Sequence, residues 1–107
     1  MHIMIYIKFH DTDSGSILAM CDEKLINSVI EKDGIYINIM DYSDFYRGEL
    51  VNETLAEKKI GGQEFYSANI IGEESIKVAV KSNIIKIQNV KTVNAIPYAH
   101  SYRIDIR

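Results

Sequence analysis

Only a few residue groups in this chain combine types and spacing that could do chemistry. Cys21 is followed directly by Asp22 and Glu23 at the end of an apolar run, and a thiol at a helix start can have its pKa lowered enough to act as a nucleophile. The neighbouring carboxylates oppose this, and a buried cysteine packing as a small apolar side chain is the plainer reading. A base could come from His100, because His2 and His10 are the other histidines and none has another histidine or a cysteine three or four residues away. That spacing excludes a zinc signature. A Cys21–His100 pair requires the last strand to lie beside the end of the second; otherwise His100 faces solvent at the end of a turn.

Other motifs point to binding rather than bond-making. Phe45-Tyr46-Arg47-Gly48-Glu49 joins aromatic, basic and glycine residues, a composition that stacks a base, anchors a partner, or plugs the edge of a core. Asn69 is a lone amide among apolar neighbours, where it needs a partner or lines a pocket. Pro97, the single proline, lies in the uncharged stretch Asn94 to His100 and reads as a rigid elbow that breaks one strand before the next and presents Tyr98. Gly72-Glu73-Glu74 opens a helix, but two acids in its first turn argue against a bound anion. Asp11, Asp13 and Gly15 resemble the start of a calcium loop without its required glycine or closing glutamate, so a hairpin turn is expected. Gly61-Gly62-Gln63 is the tripeptide that release factors place in the ribosome's catalytic centre; nothing else here resembles one, and a helix C-cap with φ above zero is expected.

The elements that must position these residues follow from periodicity. Ile3, Ile5, Ile7 and Phe9 alternate with Met4, Tyr6, Lys8 and His10, giving a strand that Ser16 to Cys21 rejoins as a hairpin. Asp22 can cap a helix with Leu25, Ile26, Val29 and Ile30 as its apolar stripe, stopped by Asp33-Gly34. Ile35 to Ile39 reads as a strand, and Asp41 to Gly48 as a connection with one helical turn. Asn52 caps a second helix on which Leu55, Ala56, Lys59 and Ile60 share a face. Phe65 to Ile71 reads as a strand, and a third helix carries a Glu73–Lys77 pair and Lys81 towards its end. Residues 84–90 carry no clear pattern; Lys91 to Ile96 and His100 to Ile106 read as strands. The order ββαβαβαββ implies an α+β (mixed α/β) domain over residues 1–107, with a single mixed sheet, an N-terminal hairpin, three helices and a C-terminal strand pair.

Composition narrows the function classes. At 107 residues with 47% hydrophobic content, the chain can bury roughly two-thirds of its unfolded surface in one core. No apolar run approaches a membrane span, and the start lacks the basic region of a signal peptide. Together with a single cysteine, this leads us to expect a cytoplasmic protein. The net charge of −3 argues against strong nucleic-acid binding except through a local basic patch. No cofactor or metal is implied.

Taken together, Cys21-Asp22 with Leu25, Phe45 to Glu49, Ala68-Asn69-Ile70-Ile71-Gly72-Glu73 and Ile96-Pro97-Tyr98-Ala99-His100 resemble, in order and spacing, the motifs of the small archaeal family known as domain of unknown function 424. The resemblance spans nearly the whole chain and implies an archaeal, cytosolic, single α/β domain associated with translation or RNA metabolism. It carries no assigned activity. In the family pattern glutamine is usual at His100 and histidine occurs at Tyr98, which implies amide-like hydrogen bonding there rather than an obligatory proton carrier. The leading expectation is a non-catalytic binding module, with a protein or ribonucleoprotein partner, using Phe45, Tyr46, Arg47, Gly48, Asn69, Pro97, Tyr98 and His100. The alternatives are a small enzyme or ligand-binding protein with a pocket near Cys21, Asn69 and His100, and a homodimer pairing its terminal strands.

Overall fold

Strand alternation sets the two faces of the molecule. The computed structural model describes residues 4–102, so His2 and the part of the expected last strand beyond Tyr102 lie outside the described residues. Ile5–Thr12 (β1) and Gly15–Asp22 (β2) form the expected hairpin, with Ile5 opposite Asp22 and Thr12 opposite Gly15. Glu49–Val51 (β5) adds to β1, and Ser67–Ile71 (β6) adds in parallel to β2. Ile96–Tyr102 (β8) pairs antiparallel with β6, and Lys91–Val93 (β7) closes the sheet in the order β5-β1-β2-β6-β8-β7. Val29–Lys32 (β3) and Ile35–Asn38 (β4) make a separate two-stranded sheet. The class is α+β, with a main mixed sheet and three helices: Ser43–Tyr46 (α1), Glu53–Gly61 (α2) and Glu73–Lys81 (α3).

Because paired strand residues project to the same side, the register assigns each side chain to a face. One face carries Ile5, Ile7, Leu18, Met20, Ala68, Ile70 and Ala99, which pack with Ala56, Ile60, Ile76 and Ala79 of α2 and α3 as the main core. The opposite face carries Tyr6, Cys21, Ile71 and Tyr98 at one end, covered by Leu25, Ile26, Ile30, Ile37 and Ile39 in a second, smaller core. That cover reaches only part of the face.

The segment 22–33 departs from expectation. Glu23–Leu25 makes one 3-10 turn, and the remainder of the expected helix is β3. Asp33 (φ 54) and Gly34 (φ 83) form a two-residue turn from β3 to β4, the Asp-Gly hairpin signal that matches strand twist. Leu25, Ile26 and Ile30 are buried as the stripe required, but Val29 points out, 44% exposed.

Pro97 is likewise not an elbow between strands. The bend is at Asn94 (φ 50) and Ala95 (φ 66), and Pro97 lies inside β8 opposite Thr92. In a two-residue hairpin the pair flanking the turn is hydrogen-bonded, so the next pair points its N–H and C=O groups away from each other. Pro97 therefore owes β7 no donor, and its carbonyl accepts from Gly72 N on the other side at 2.9 Å. Gly62 caps α2 with φ −99, so the glycine pair is not there for left-handed backbone. On α3 the ion pair is Glu74–Lys77 at 3.8 Å, one residue from the expected one. Of the terminal strands, Ile5–Ile7 is not an edge because it pairs with β5 as well as β2, whereas His100–Tyr102 pairs with β6 alone among the described residues.

Candidate functional site

Asp22 ends β2 on the main-core face, 2% exposed, and its carboxylate does cap a helix, though a distant one. Glu74 N donates to Oδ2 at 3.1 Å, while Ser75 N and Ser75 Oγ donate to Oδ1 at 2.8 Å each. These are the orphan N–H groups of α3, and a carboxylate there also meets the positive end of the helix dipole. Gly72 makes the approach possible. Its φ of 111 and ψ of 150 belong to a region open essentially to glycine alone, and a Cβ would collide with the Asp22 carboxylate. The anion position that a glycine-led helix start offers a ligand is filled by the protein's own side chain.

Cys21 projects to the opposite face, fully buried. Burial first, and Asp22 second, push its thiol from 9.0 up to about 12, and its Sγ donates to the Asp22 carbonyl at 3.4 Å. The candidate thiol is therefore a neutral core group, as the plainer reading had it. Nor is His100 its base: the register puts the two residues two strands apart and two positions along, about 12 Å between backbones. His100 Nε2 instead contacts Ser67 Oγ at 3.3 Å. Tyr46 packs in the smaller core, and burial, with Cys21 as the lesser cause, pushes its phenol up to about 12.

Beyond the Cys21–Ile71–Tyr98 row the cover stops and a cleft opens. It measures about 410 Å³ and is lined by Tyr36, Ile37, Asn38, Ile39, Tyr42, Phe45, Tyr46 and Asn69, a volume in the roughly 300–1,000 Å³ range of small-ligand sites. The walls are set by short-range chemistry. Asn38 Nδ2 donates to Asp41 Oδ2 at 2.7 Å and to the Tyr36 hydroxyl at 3.2 Å, while Asp41 N donates to Asn38 Oδ1 at 2.9 Å. Phe45 meets Tyr46 edge-on at 5.1 Å and stacks on His10 at 4.5 Å. His10 Nε2 lies 2.7 Å from the Phe45 carbonyl, and Lys8 Nζ donates to the Asp44 carbonyl at 2.8 Å, tying α1 to β1. Asn69 belongs to the sheet floor, and among the described residues its side-chain amide has no hydrogen-bond partner.

The remaining sequence candidates divide by role. Arg47 lies 6.0 Å over the Tyr6 ring and donates to Asn27 Oδ1 at 3.2 Å. Gly48 sits against the β1 backbone, where a Cβ would strike the Ile7 carbonyl. Tyr98 packs in the smaller core and Pro97 faces the other side of the sheet. Phe45, Tyr46 and Asn69 do converge, with His100 beside Asn69 in register. Sequence reasoning missed Tyr36, Ile37, Asn38, Ile39 and Tyr42; the Asp33-Gly34 hairpin signal was the clue to that wall. Among the described residues no group of three or more His, Cys, Asp or Glu could hold a metal. A second cavity of about 620 Å³ lies between the ends of α2 and α3, lined by Gly61, Gly62 and Gln63 and by the partners of the 3.4 Å Lys81–Glu57 ion pair.

Residues 9–104 match the model of the family described as protein of unknown function (DUF424). The chain belongs to this family. The fold of this DUF424 chain is shared with an uncharacterised conserved protein from Methanopyrus kandleri, whose crystal structure superposes with a TM-score of 0.83 at 22% identity, covering 97% of this chain and 95% of that one. No curated protein matches it. Within the DUF424 fold seen here, Asp22, Gly48, Gly72 and Pro97 each have a structural task; the Asn69 side chain has no hydrogen-bond partner among the described residues. No helix among the described residues is long and apolar enough to cross a membrane.

Proposed function

We propose that this protein is a non-catalytic binding module that acts in the archaeal cytoplasm as an accessory factor of the translation or RNA machinery, with the cleft between β4, α1 and β6 as its contact site. The observation that carries this reading is the cleft itself: aromatic walls around the Asn69 amide, which has no hydrogen-bond partner among the described residues. Asn69 is half-buried, and a partly desolvated amide left without a partner at the floor of an aromatic cleft is suited to a ligand's hydrogen bonds. The enzyme reading loses its support with Cys21, whose buried thiol is pushed up to about 12 and lies far from His100. Affinity capture from archaeal lysate, comparing the wild type with Tyr42→Ala/Asn69→Ala, tests the reading. Loss of specific partners from the variant is the expected result; identical partner lists overturn the site. Light scattering on the same samples separates a monomer from the alternative homodimer.

A further inference from the structure

We propose that the cleft receives one unpaired nucleobase of a single-stranded nucleic acid whose backbone runs over the uncovered face of the main sheet. This rests on the binding-module reading and names its ligand.

Three features of the molecule lead to it. The first is shape and chemistry: Tyr36, Tyr42, Phe45 and Tyr46 supply ring surface, and Asn69 supplies one donor and one acceptor side by side. A base is flat, stacks on aromatic rings regardless of identity, and presents adjacent donors and acceptors on its edge. An apolar peptide side chain would leave the Asn69 amide unsatisfied, at a cost.

The second is charge. Although the chain carries −3 overall, among the described residues the register places no Asp or Glu on a strand position of the sheet face that holds Asn69. Lys8, His10, Lys91 and His100 are on it. The ion pairs among the described residues, Lys59–Glu49, Lys77–Glu74 and Lys81–Glu57, involve α2, α3 and β5, and none uses a cation of this face. Asp41 and Asp44 belong to the covering segment, where Asp41 is held by Asn38.

The third is reach. Lys8 and His100 lie in the same cross-strand row as Asn69. Lys8 is two strands from it, about 10 Å, and Lys91 is two strands away on the other side. A strand crossing the face can therefore place phosphates near both ammonium groups with one base in the cleft.

The test is an NMR titration of the isotope-labelled protein with short single-stranded RNA and DNA of each base, duplexes of the same sequence, and free nucleoside monophosphates. Single strands are expected to shift the Asn69 side-chain amide and the Tyr36 and Tyr42 rings, duplexes to leave them unchanged, and free nucleotides to bind more weakly than strands. With two phosphates neutralised, log affinity falls against log salt with a slope of about −1.4. Tyr42→Ala, which removes a ring 63% exposed and so leaves folding intact, weakens binding roughly tenfold. Asn69→Ala flattens the preference among bases, and Asn69→Asp, an acceptor only, turns it towards guanine. Unmoved Asn69 resonances at millimolar strand, equal binding of duplexes, free nucleotides as tight as strands, or a base preference unchanged in Asn69→Ala each overturn the proposal. If cleft variants lose partners from lysate while no strand binds, the binding module stands and the nucleobase falls.

Discussion

Asp22 and Asn69 are polar residues near the middle of the same sheet, on adjacent strands and opposite faces, and they meet opposite fates. Asp22 is 2% exposed and receives three hydrogen bonds from the start of α3. Asn69 sits in a cleft with its amide idle. The difference lies in what covers each face. Two helices pack over the part of the face that holds Asp22, so a polar group buried there must be satisfied internally or cost stability. The Asn69 side is covered only as far as the β3–β4 hairpin and α1 extend, and water reaches the remainder. Polarity within a sheet is structural where the cover is complete, and available to a ligand where it stops.

Five measurements break or sharpen that contrast. The largest effect is kinetic: with its thiol raised from 9.0 to about 12, Cys21 is expected to react with thiol reagents near pH 8 about a thousandfold more slowly than a free cysteine. Ordinary labelling rates in the folded protein would put Cys21 back in the open region. Next is Gly72→Ala, which forces a Cβ onto the Asp22 carboxylate in a backbone region reserved for glycine; a loss of about 3 kcal/mol or more in denaturant unfolding is expected. Asp22→Ala strands one buried and one half-buried N–H group and a buried hydroxyl, for a loss of about 2–3 kcal/mol, with Asp22→Asn recovering part of it.

A smaller effect belongs to Glu74, whose carboxyl is pushed up mainly by burial, with Lys77 pulling the other way and Glu53 and Asp22 adding to the rise. The folded chain keeps that proton to higher pH than the unfolded one does. Its contribution is therefore fully present below the ordinary carboxyl value and lost as pH rises through the folded value. Glu74→Gln should flatten the part of the stability profile that lies above the ordinary carboxyl value, and an unchanged slope would show the group to be free of its neighbours. Last comes Asn69→Ala, expected to change stability by less than about 0.5 kcal/mol because no internal hydrogen bond is lost. A loss as large as that of Asp22→Ala would make Asn69 structural and erase the comparison.

Much of the fold was legible because local rules suffice for it. The N-terminal hairpin, the α2 cap, in which Leu55 N donates to Asn52 Oδ1 at 2.9 Å, and the acidic start of α3 follow from alternation, capping and dipole preference. Residues 22–33 misled because Leu25, Ile26 and Ile30 fit one helical face and equally fit a turn followed by a strand; β-branched Val29 and Ile30 before Asp-Gly favour the strand. Pro97 misled for a similar reason. A proline is tolerated in a strand when its missing donor points away from the partner, and that depends on a register the sequence does not print.

By itself, the sequence determined the α+β class, the polar and apolar alternation of the strands, the family, and Phe45, Tyr46 and Asn69 as residues of interest, since each depends on neighbours a few positions away. Tertiary structure decided that Asp22 caps a helix 52 residues on, that Cys21 is sealed in, and that Asn69 is not. Those outcomes depend on which strands pair and how far the cover over each face extends, and both are set by long-range packing.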